Sequence, residues 1–123
     1  AITRLQYALD FSPGSHPITM YLAEAYYRAG YFGDAEKLLK AHSRVKRMDA
    51  HLWYMLAEVQ GKTGNILGLH QSRAEYFYLN GAMNQALQQL ELALPKAKDN
   101  VTYERIQNRM VYFKNVARAL GQL

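Results

Sequence analysis

Apolar residues return at intervals of three and four along most of the chain. Leu22, Ala23 and Tyr26 form one such stripe, Ala35, Leu38, Leu39 and His42 a second, and Trp53, Leu56 and Ala57 a third. That spacing is the signature of amphipathic helices. The polar breaks between stripes carry turn chemistry: the linker FSPGSHP, then Gly30, then Gly64-Asn65, then Gly81, then Pro95. Glycine ends a helix by taking positive φ without a side-chain clash, Pro17 suits a helix start, and Asn65 is a good N-cap. Helices are therefore predicted over residues 1–11, from Pro17 to Gly30, from Gly33 or Asp34 onward, up to Gly64, over 65–79, over 83–94 and over 99–120. In the last, Tyr103, Ile106, Met110, Phe113, Ala117 and Leu120 share one face.

The pattern also repeats. Ala23 and Gly30 reappear as Ala57 and Gly64, 34 positions later, with Leu22 and Leu56 beside the alanines. This is the period of a tetratricopeptide repeat (TPR), a helix hairpin that buries its apolar face only by stacking on neighbours and so leaves a concave surface. Small Ala35 lets paired backbones approach closely. Counting the same interval back from Ala35, Leu39 and His42 reaches Ala1, Leu5 and Ala8, so 1–11 reads as the second helix of a truncated repeat. Residues 17–43 and 49–79 are the next two units. Leu69 stands where the second unit should have its alanine, yet Ala74, Gly81 and Ala86 restore the pattern only 17 residues after Ala57. Helix 65–79 then serves two units, with 65–94 overlapping its predecessor and 99–120 as a long C-terminal capping helix. The predicted fold is all-α, a TPR-like right-handed superhelix of antiparallel helix pairs, in a single domain spanning 1–123.

Composition narrows the picture modestly. Half of the 123 residues are apolar, enough for one core. There is no cysteine, which excludes disulfides, thiolate zinc sites and a cysteine nucleophile and fits cytosol and periplasm alike. No apolar run is long enough for a membrane span, and the opening residues lack the core of a signal peptide. Fifteen basic against 10 acidic residues, spread along helices, read as an ordinary solvated surface.

Candidate chemistry is sparse. None of the four histidines (His16, His42, His51, His70) stands four residues from another and H-E-x-x-H is absent, so no metal site or cofactor is predicted within the chain. No catalytic residue is predicted either. Lys37, Lys40, Arg44 and Arg47 would form one basic stripe if their helix extends that far, but aromatics are not interleaved with it, so no nucleic acid is expected. The residues just off the core line of the first helices give the candidate partner-binding groove. They are Met20, Tyr21, Glu24, Tyr27 and Arg28, then His51, Tyr54, Met55, Glu58 and Lys62, with Gln71, Glu75 and Tyr78 from the shared helix. Tyrosine and methionine suit the grip of a polypeptide, and the glutamates repel a carboxylate ligand. The truncated first repeat offers a surface for self-association.

One stretch is more specific than a generic repeat. Trp53, Leu56-Ala57-Glu58, Gly64-Asn65, His70-Gln71, Arg73-Ala74-Glu75-Tyr76-Phe77, Asn80-Gly81, Ala86 and Leu90 to Leu94, with the half-period step, resemble the C-terminal repeat region of bacterial periplasmic M48-type zinc metalloproteases, the beta-barrel assembly-enhancing group. The likeness covers about 17–120 and is strongest over 53–97. It implies a parent with an upstream protease domain that holds zinc through H-E-x-x-H, exported to the periplasm and acting in outer-membrane protein quality control. Within it, the repeat domain is expected to recruit the barrel-assembly machinery or substrates, or to contact the parent's own protease domain. The alternative is a free-standing TPR adaptor that binds peptides in another complex.

Overall fold

The computed structural model describes residues 1–123 as α-helices joined by short turns: α1 (Ile2–Phe11), α2 (His16–Ala29), α3 (Phe32–Ser43), α4 (Ala50–Thr63), α5 (Ile66–Leu79), α6 (Met83–Ala93) and α7 (Asn100–Ala119), with a single 3-10 turn at Leu94–Lys96. Each helix packs on the next in sequence, so the chain is a stack of antiparallel hairpins with no strand.

Local chemistry sets the helix ends. The side chains of Ser15, Asp49, Asn65 and Asp99 accept the first free amides of α2, α4, α5 and α7. The Thr102 amide, 2.7 Å from Asp99, holds that carboxyl below the usual carboxylate range. Gly30 and Gly64 close α2 and α4 at φ of 83° and 78°, the left-handed geometry their sequence positions predict.

The core lies in two clusters. Ala23, Ala35, Leu39, Leu52, Leu56 and Val59 join α2, α3 and α4, while Met83, Leu90, Ile106, Phe113 and neighbours join α5, α6 and α7. Between them the joint is polar: the buried Ser72 hydroxyl of α5 donates to Gln60 Oε1 of α4 at 2.6 Å.

Several local expectations change. Helix α3 begins at Phe32, not at Gly33 or Asp34, because the chain enters directly after the Gly30 turn. It ends at Ser43, where the amides of Val45 and Lys46 both fold back onto the His42 carbonyl. Arg44 is therefore its C-cap and Arg47 lies in the following loop, so the basic stripe is not one helical face. Tyr103 on α7 and Leu120, its C-cap, are exposed, so the predicted apolar face is covered only from Ile106 to Ala117. The close approach missing at Leu69 is supplied one residue earlier: Gly68 is buried, and a Cβ there would lie 2.5 Å from Gln60 Nε2.

Candidate functional site

Six of the groove residues meet in a hollow of about 300 Å³ between α2 and α4. Glu24 and Tyr27 form one side; His51, Tyr54, Met55 and Glu58 form the other. The core stripes of both helices point away from it, so the hollow is made from the residues next in rotation. Tyr27 is steadied by an edge-on contact with Phe32, 5.3 Å between centroids, and Met55 rests against the core cluster. Arg28 pairs with Glu24 at 2.5 Å, one turn along α2. Glu58 makes no ion pair. The hollow thus combines two phenol rings, a thioether and carboxylate charge, which suits apolar and cationic side chains of a polypeptide.

The other groove residues do not share this hollow. Met20 is half-buried against the core, Tyr21 projects into solvent, and Lys62 sits 6.0 Å from the Phe32 ring. Gln71 and Glu75 line a second cleft together with Trp53, Leu56 and Gln60 of α4. At about 100° per residue, Trp53, Leu56 and Gln60 lie roughly half a turn around α4 from His51, Tyr54, Met55 and Glu58. The single groove expected from sequence is therefore divided between opposite faces of α4. Helix α5 packs against both α4 and α6, and its Gln71 and Glu75 fall on the side away from the hollow.

Tyr78 goes with neither hollow. Its ring stacks on Phe113 at 4.6 Å and 4°, and its hydroxyl meets that of Tyr112 at 3.1 Å. That hydrogen bond, then burial, raises its pKa above the usual phenol value. Sequence reasoning passed over Tyr76, whose ring lies 5.5 Å from Tyr54 and extends the aromatic surface from α4 onto α5. Its position one heptad after Leu69, on the side of α5 that turns toward α4, was the available signal.

The histidines have other partners. His16 joins His42 to Asp49 through contacts of 2.8 Å each, and His70 meets Gln89 at 2.8 Å. No group of three His, Cys, Asp or Glu side chains is placed to hold a metal ion, and no helix is long and apolar enough to cross a membrane.

Comparison with curated proteins finds none that matches the chain. A family model described as Tetratricopeptide repeat matches residues 1–59, the stretch that contains every residue of the α2–α4 hollow. With the all-α stack of adjacent hairpins, that match supports a TPR-like fold and a protein–protein interaction module.

Proposed function

We propose that the α2–α4 hollow grips a polypeptide segment bearing apolar and cationic side chains, and that the chain acts as a non-catalytic recruiting module. The observation that carries this is the convergence of Tyr27, Tyr54 and Met55 with Glu24 and Glu58 in one open hollow on the repeat-matched stretch. Large rigid phenols give contact area at low ordering cost, and carboxylates select against acidic ligands. The test is titration of Tyr27→Ala plus Tyr54→Ala against candidate partners. Loss of two such contacts is expected to weaken binding about tenfold or more. Unchanged affinity in the double variant would remove the hollow from consideration.

The finer reading is that this module belongs to a periplasmic zinc metalloprotease of the M48 type that acts in outer-membrane protein assembly. What supports it is the resemblance over residues 53–97, including the half-period step. In such a parent the zinc and its H-E-x-x-H ligands lie outside these 123 residues, and the partner is the barrel-assembly machinery, a substrate barrel or the protease domain itself. The upstream coding sequence decides: H-E-x-x-H behind a signal peptide supports the reading, and repeats alone refute it.

A further inference from the structure

The second cleft, about 380 Å³, lies on the other side of α4 from the hollow and has the opposite charge. Lys40 and Arg44 at the end of α3, with Arg47 of the following loop, come from one side of the stack, and Arg105 and Arg109 of α7 from the other. Arg109 is spent on Glu75, which accepts two of its hydrogen bonds. The remaining four cations form no ion pair within the chain, and Glu75 is the only acidic lining residue. Cations gathered around one concavity repel one another, and low-dielectric walls focus their field on whatever enters. Between them lie the half-buried Leu67 and Trp53, over the buried Leu56, Leu90 and Ile106.

From this charge and shape we infer that the cleft docks an acidic stretch of a partner polypeptide, with its carboxylates toward Lys40, Arg44, Arg47 and Arg105 and an apolar side chain against Leu67 and Trp53. A nucleic acid fits less well. Trp53 is the sole aromatic ring lining the cleft, so successive bases have no second ring on which to stack. The site goes beyond the α2–α4 hollow and shares no residue with it.

Trp53 is the only tryptophan of the chain and lines this cleft, so its emission reports on occupancy. The full chain is titrated with a synthetic Glu/Leu peptide amidated at its C-terminus, with a Lys/Leu peptide and a single-stranded oligonucleotide as comparisons. Expected are an emission change with the acidic peptide alone, affinity that falls as salt rises, and about tenfold or greater weakening in Arg47→Glu and Arg105→Glu, one from each side. Both residues are exposed and unpaired, so neither change should unfold the chain, which circular dichroism checks. Tyr27→Ala plus Tyr54→Ala should leave this binding intact, which separates its failure from failure of the hollow. The proposal is overturned by absence of an emission change, by undiminished affinity in the charge-reversed variants, or by an oligonucleotide that binds as tightly as the acidic peptide.

Discussion

Arg109 on α7 donates two parallel hydrogen bonds, of 2.8 and 2.6 Å, to Glu75 on α5, 34 positions earlier. Tyr78 and Tyr112 meet across the same interval. The interval of 34 residues in both pairs equals one repeat length. The guanidinium also lies 4.8 to 5.3 Å from the ring centroids of Tyr78, Tyr112 and Phe113, which shield it from water. The Glu75 carboxylate, through those hydrogen bonds, raises the pKa of Arg109.

Removing one partner should therefore cost more than a surface ion pair is worth. Glu75→Ala leaves a guanidinium whose side chain is only 27% exposed without its carboxylate. The expected loss is about 2 kcal/mol, less than for a fully buried pair because water still reaches the arginine. Urea denaturation measures it; an unchanged midpoint would mean the pair contributes nothing to docking of α7.

Phe113 belongs to one half of the core only. It is fully buried in the α5–α7 cluster and remote from the α2–α4 cluster. Phe113→Ala should cost about 3–5 kcal/mol. In a quasi-one-dimensional stack that loss should be felt first by adjacent helices. Hydrogen exchange is expected to quicken in α6 and α7 well before α2 and α3; equal quickening throughout would show one cooperative unit instead.

At the joint between the halves, Gly68→Ala should be destabilising by about 1–3 kcal/mol. The added methyl would stand 2.5 Å from Gln60 Nε2 and 2.6 Å from Asn65 Nδ2. Neither amide is free to move: Gln60 accepts from Ser72, and Asn65 donates to Glu36 at 2.7 Å while capping α5. Gly14→Ala is the control, since nothing lies within 4 Å of its Cβ position. Thermal melts that rank the two variants equally would show that the crossing is not tight.

What could be read from sequence follows the same division. The Gly30 and Gly64 turns and the buried Ala23, Ala35 and Ala57 depend on residues a few positions apart, so helical periodicity was sufficient to place them. The displacement of the small residue from 69 to 68 depends on how α5 rotates against Gln60, which no local pattern encodes. Likewise, Gln71 and Glu75 have the right spacing for a groove, but which side of α4 they face is decided only when α5 packs against both α4 and α6. Arg105 gave no local signal, because its significance lies in Lys40, Arg44 and Arg47 across the cleft.

Acid should weaken the first half of the stack through His42. Its ring is buried, lies 5.0 Å from that of His16 at an interplanar angle of 17°, and shares a 2.8 Å hydrogen bond with it. Desolvation first, and the neighbouring His16 second, lower its pKa below the ordinary imidazole value of 6.5. The folded chain therefore resists protonation that the unfolded chain accepts. Stability from the neutral ring is fully present above pH 6.5 and is lost as pH falls from there through the folded-state pKa. For one proton the slope cannot exceed about 1.4 kcal/mol per pH unit. In His42→Gln the amide can still meet His16 but does not titrate in this range, so urea midpoints measured from pH 7 downward should fall less steeply than in the unmodified chain. Parallel slopes in the two proteins would assign the acid sensitivity to groups other than His42.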